Sequence, residues 1–88
     1  MTSQIQRSAL SVSSNLAEGS GRVSGIEQAR FTEIAYSSLM ELLNQLIIAS
    51  DLNYLEERQV NELRPSIIEI GNKLNSLRKR QLKRGKNK

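Results

Sequence analysis

Apolar residues recur at helical spacing in three stretches of the chain. Ile5, Ala9, Val12 and Leu16 follow one another at steps of four, three and four, which puts one apolar stripe on a first helix. The opposite face carries Gln4, Arg7, Ser11 and Ser14 and is polar but nearly uncharged. Phe31, Ala35, Ser38, Leu42, Gln45 and Ala49 alternate four and three along a second helix, beside a stripe of Leu39, Leu43, Leu46 and Ser50. Ile47 and Ile48 widen that surface, so this helix is expected to be buried on more than one side, the surplus against another subunit. Val60, Leu63, Ile67, Ile70, Leu74 and Leu77 form the third stripe. It keeps its register across Pro65, which predicts one kinked helix rather than two.

Stop and start signals separate the three. Thr2 is placed to cap the first helix. That pattern ends at Glu18, and Gly19-Ser20-Gly21 breaks it, with Gly19 expected in the left-handed conformation that closes helices. Ser24-Gly25-Ile26-Glu27 reads as a capping box: Ser24 accepts from the Glu27 amide, and the Glu27 carboxylate reaches back to the Ser24 amide. Asn53 is the expected left-handed residue after the second helix, with Tyr54 or Leu55 packing back on the helix end. Glu56 and Glu57 suit the start of the third helix. The expected helices span about 2–18, 24–50 and 56–82 in one domain over 1–84, leaving 85–88 as a disordered basic tail. Short links make neighbouring helices antiparallel, so the fold class is all-α, an up-down bundle of three long helices.

Charge divides the chain in two. The net charge is +4 over 88 residues, but 1–77 carry six basic and nine acidic groups, whereas 78–88 carry seven basic groups and no acidic one. There is no histidine and no cysteine, which removes the commonest general base, the commonest metal ligand, thiolate sites and disulfides. Glu33, Glu41, Glu62 and Glu69 are scattered at helical spacings and read as solvated; a di-metal bundle site would want Glu-x-x-His pairs. No enzymatic chemistry, metal or cofactor is expected. No apolar run approaches the ~20 residues of a membrane span and nothing resembles a signal peptide, so a cytoplasmic location is expected. Phe31, Tyr36 and Tyr54 are the only aromatics, too few for a base-stacking platform. Gly19-Ser20-Gly21 is no phosphate loop, since it lacks the Gly-Lys-Ser/Thr ending and no strand precedes it.

Ser11-Val12-Ser13-Ser14-Asn15-Leu16-Ala17-Glu18-Gly19-Ser20-Gly21-Arg22 resembles the signature of the small bacterial four-helix-bundle proteins first noticed as intervening-sequence proteins of 23S rRNA genes. The likeness continues through Arg30-Phe31, Ala35 to Leu42 and Asp51 to Leu55, and covers about Thr2 to Leu77. Ser13 stands where the family usually has proline. The resemblance implies that the three helices are the last three of a four-helix bundle whose N-terminal helix is missing, through truncation, a misassigned start or true variation. It also implies homo-oligomers, pentamers among them. Related accessory proteins of diversity-generating retroelements bind nucleic acid and a reverse transcriptase.

The basic run supplies the candidate nucleic-acid-binding residues: Arg78, Lys79, Arg80, Lys83, Arg84, Lys86 and Lys88. Such a density of cations attracts RNA or DNA phosphates by counterion release. The plainer reading is a solubilising tail whose cations favour a helix C-terminus. Removing 78–88 is expected to change stability little, because Leu77 is the last clear core position, unless Leu82 packs. Leu39, Leu42, Leu43, Leu46 and Ile47 are expected in the core or an oligomer interface. Asn15, Glu18, Arg22 and Arg30 read as capping and ion pairing around the first link rather than as a polar site. A non-enzymatic, oligomeric nucleic-acid-binding or scaffold protein is therefore expected, with a purely structural protein–protein module as the alternative.

Overall fold

A computed structural model describes residues 2–86 as three helices: α1 (Thr2–Ser20), α2 (Gly25–Asp51) and α3 (Glu57–Lys86). Met1, Asn87 and Lys88, and the side chains of Thr2 and Lys86, lie outside the described residues. The Thr2 cap and the last two cations of the basic run lie there with them. The fold is all-α, and the helices run up, down and up.

Local chemistry sets most of the helix ends. Ser24, extended at φ −75° and ψ 133°, accepts from the Glu27 amide at 3.4 Å. The reciprocal half of that capping box is absent: no bond from the Ser24 amide to the Glu27 carboxylate forms. At the far end of α2, Asn53 adopts φ 63°. Its amide donates to Ser50 O at 3.0 Å and the Tyr54 amide to Ala49 O at 2.8 Å, the paired bonds of a Schellman close. Leu55 packs against the core, while Tyr54 stays exposed. At the start of α3, Gln59 Oε1 accepts from the Glu56 amide at 3.0 Å, a cap that the paired glutamates had masked in the sequence.

The first link departs from expectation. No glycine among the described residues has positive φ, and α1 runs on through Gly19 to Ser20. Gly19 is buried where α1 meets α2: a Cβ there would sit 2.9 Å from Phe31 Cβ. The glycine permits close approach of two helices rather than a left-handed stop. Arg22 then holds the link. Its guanidinium bonds Glu18 Oε1 at 2.8 Å and lies 5.0 Å from the Phe31 ring centroid, and its carbonyl accepts from Gln28 Nε2 at 2.8 Å.

α2 is the central helix. Both α1 and α3 pack on it, and no Cα of α1 comes within 8 Å of a Cα of α3. The side of α2 that meets α1 carries Phe31 and Ser38, and the side that meets α3 carries Gly25, Thr32 and Tyr36. At 3.6 residues per turn these sides are roughly 140° apart around the axis. The helices therefore form an open trough, not a closed triangle, with Cα extents of 50 × 22 × 13 Å.

This arrangement rearranges the expected stripes. On α1, Ser8 and Gly19 are buried and Ala9 is exposed, while Ile5, Val12 and Leu16 pack against the core from its edge. Ser11 reaches Ser38 across the α1–α2 contact at 2.7 Å. On α3 the buried row is narrow: Val60, Ile67 and Leu74 are core, with Gly71 buried beside them, but Leu63 is 48% exposed and Ile70 44%. A helix with one neighbour buries one narrow row. α3 is continuous across Pro65.

The buried cluster joins Ala35, Leu39 and Leu46 of α2 to Val60, Ile67 and Leu74 of α3, with Leu42, Leu43 and Ile47 half-buried against it. Leu46→Ala should cost about 2–5 kcal/mol in urea unfolding, the range for large-to-small core changes. A loss below about 1 kcal/mol would show that Leu46 is not in a packed core.

Candidate nucleic-acid interface

The basic run is part of α3 as far as Lys86. α3 does not fray after residue 82 but continues to Lys86, because its last turns lie against the first turns of α2. Four contacts descend α2 as they ascend α3. Arg78 Nε lies 3.7 Å from Glu33 Oε2. The Thr32 hydroxyl donates to Gln81 Oε1 at 2.7 Å, both side chains being buried. Arg84 donates to Gln28 Oε1. Gly25 meets Gly85 closely enough that a Cβ on Gly25 would fall 2.3 Å from Gln81 O and 2.8 Å from Gly85 N.

These contacts correct the expectation that residues 78–88 are dispensable for stability. Gln81 occupies the fourth position of the buried seven-residue row that begins at Val60, and Leu82 is half-buried. A polar residue continues the row because Thr32 offers it a hydrogen bond inside the interface. The sequence held a signal for this, namely the exact seven-residue spacing, which a search for apolar residues passes over.

Five of the seven proposed cations have described side chains, and these separate by where the helix turns them. Lys79, Arg80 and Lys83 are exposed on the side away from α2. Arg78 is turned inward to Glu33, and Arg84, although exposed, is tied to Gln28. Lys73 precedes the outward three and pairs with Glu69 at 3.3 Å; a shallow depression there is lined by Glu69, Asn72, Lys73, Ser76, Lys79 and Arg80. Beyond Glu69, α3 has no acidic residue. Lys73 to Lys83 spans about 15 Å of helix at 1.5 Å per residue. The result is one positive face on a rigid rod, suited to successive phosphates and without aromatic rings for reading bases.

The other polar candidates sit at the same end of the molecule. Asn15 donates to Ser11 O and Ser11 Oγ within α1, Glu18 pairs with Arg22, and Arg30 is exposed near the start of α2. Their contacts hold helix ends and converge on no common point. Among the described residues no group of three or more acidic side chains is placed to hold a metal ion, and no helix is long and apolar enough to cross a membrane.

A family model described as 23S rRNA-intervening sequence protein matches residues 1–76. The outward cations Lys79, Arg80 and Lys83 lie beyond the matched residues. No curated protein matches the chain, and no solved structure matches it.

Gly25→Ala tests the helix crossing. The added methyl meets backbone, which cannot turn aside, so the variant should lose on the order of 1–3 kcal/mol despite alanine's higher helix propensity. Gly85→Ala should lose less, because its Cβ would sit 2.9 Å from Ile26 Cγ1 and 3.1 Å from the backbone N of Ile26, a milder approach than that of a Gly25 Cβ to Gln81 O. Equal urea midpoints for Gly25→Ala and the parent would mean that α3 does not cross α2 there.

Proposed function

The chain belongs to the family of 23S rRNA-intervening sequence proteins, and on that premise we propose that it is a non-enzymatic, oligomeric helical protein that binds the phosphate backbone of nucleic acid, RNA first, through the outward face of α3. The observation that carries this reading is the row Lys79, Arg80 and Lys83: exposed, free of acidic neighbours on the helix, and held rigid by the contacts of the opposite side. Rigid cations lose little freedom on binding, so their attraction for phosphate is less offset by ordering. The inventory without histidine or cysteine supports a non-enzymatic role, and the lack of an apolar span fits a cytoplasmic location. Homo-oligomers, with a pentamer as the form implied by the family resemblance, belong to the same reading.

A purely structural protein–protein role is the second reading. The exposed leucine and isoleucine of α3 favour it, and in it the basic face only solubilises.

Charge reversal at Lys79, Arg80 and Lys83 separates the two. These side chains are exposed, so thermal stability should be unchanged, and Arg84 is left intact because it bonds Gln28. The parent should bind duplex RNA at low salt with a log–log salt slope near −3 if three phosphates are neutralised. The affinity should depend little on sequence, since phosphate contacts carry no direct base information. The triple variant should lose most of that affinity. Binding that survives the reversal, or no binding by the parent at low salt, leaves the structural role.

A further inference from the structure

A polar groove of about 420 Å³ runs along the α1–α2 contact, within the ~300–1,000 Å³ of small-molecule sites. Its α2 wall begins at Ser38, beyond the stretch from Gly25 to Glu33 that meets the basic run. The α1 wall carries Gln4, Arg7, Ser8 and Ser11, and the α2 wall Ser38, Glu41 and Gln45. Ser8 and Ser38 are buried at its base, where Ser11 and Ser38 bond at 2.7 Å. The one charge on the first wall is positive and the one charge on the second is negative, yet the two do not pair. Arg7 donates to Ser3 O and Ser3 Oγ, each at 3.4 Å, and Glu41 Oε1 accepts from Gln45 Nε2 at 3.3 Å. In the grooves beside Lys73 and beside Arg78 the opposite charges already approach each other, Lys73 to Glu69 at 3.3 Å and Arg78 to Glu33 at 3.7 Å.

Gln45 is the group that its own chain does not satisfy. Its Oε1 is buried and accepts no hydrogen bond. Nearly all such buried oxygens in folded proteins are paired, because an unpaired one is costly. Turning the amide over does not help within the chain, since the oxygen would then oppose the Glu41 carboxylate. A cationic N–H group standing between Glu41 and the turned amide satisfies both oxygens at once.

We propose that this groove binds a free amino acid, its ammonium held between Glu41 and Gln45 and its carboxylate at Arg7. A guanidinium only donates and a carboxylate only accepts, so each end of the ligand has one wall that it fits. Both contacts are charge-assisted, the stronger kind of hydrogen bond. A simple anion would serve Arg7 and leave Gln45 unsatisfied, and a simple cation would do the reverse. The hydroxyls of Ser8 and Ser11 can donate or accept beside either end. No apolar or aromatic side chain lines the groove, which disfavours a lipid chain or a stacked base. A ligand that touches both walls also ties α1 to α2, and so stabilises the fold by mass action. The site is separate from the outward cations of α3 and does not depend on the nucleic-acid or oligomeric reading.

Titration of the full chain with each common L-amino acid to millimolar concentration, followed by amide NMR shifts, tests the proposal. At least one should give saturable shifts centred on residues 4–11 and 38–45. The N-acetyl and the carboxamide forms of that amino acid each lack one charge, and both should bind roughly tenfold or more weakly, the loss of one hydrogen bond to a charged group. Arg7→Gln and Glu41→Gln should weaken binding to a similar degree. Both side chains are exposed, so the melting of each variant without amino acid should match the parent. Charge reversal at Lys79, Arg80 and Lys83 should leave the affinity for the amino acid unchanged. No saturable shift from any amino acid overturns the proposal. Equal binding of the N-acetyl or the carboxamide form overturns it too, since the groove would then take a simple anion or a simple cation, and so does binding that survives both Arg7→Gln and Glu41→Gln.

Discussion

The crossing of α3 over the start of α2 is the contact on which the rest of the molecule depends. Gly25 and Gly85 have no side chains to separate the two backbones, and Gln81 and Thr32 fill the next turn with a buried hydrogen bond. Without that bond the Gln81 amide oxygen would be buried unpaired, at a cost of about 1–3 kcal/mol, while the Thr32 hydroxyl would keep its bond to Gln28 O. The crossing therefore demands polar partners as well as small ones, and it fixes one register between the helices. It also turns a run of cations, which would otherwise repel one another into an extended tail, into a helix with an inward and an outward side. Arg78 and Arg84 serve the inward side, and Lys79, Arg80 and Lys83 are left exposed on the outward side.

A second constraint comes from the position of α2. Its two neighbours touch sides far enough apart that they never touch each other, so each outer helix buries only the residues aimed at α2. That explains why α3 buries one narrow row and leaves Leu63 and Ile70 outward, and why Ala9 of α1 is exposed. An apolar stripe in a sequence records what must be covered, not what covers it. Here the chain itself covers only part of the stripe and leaves Leu63 and Ile70 exposed.

What could be read in the sequence was local. The left-handed turn at Asn53, the Ser24 cap and the division into three helices each follow from a few neighbouring residues, and the family was legible in the run from Ser11 to Arg22. What could not be read depended on residues distant in the chain. Gly19 in a Gly-Ser-Gly run signals a stop, but Phe31 across the helix pair makes it a contact residue instead. Gln81 looked like part of a solvated tail because its partner, Thr32, is 49 residues away. The split of the basic run into inward and outward cations had the same cause, since Glu33 and Gln28 decide it and neither lies near the run in sequence.

The central claim is that the basic segment from Arg78 to Gly85 is an integral, ordered part of the helical packing rather than an appended tail. Amide hydrogen exchange of the full chain tests it most directly, because exchange reports local opening residue by residue. Residues 79–83 should exchange as slowly as residues 67–74, since both are held by the same helix packing on α2. Exchange of 79–83 at the rate of an unstructured peptide, with 67–74 protected, would contradict the account.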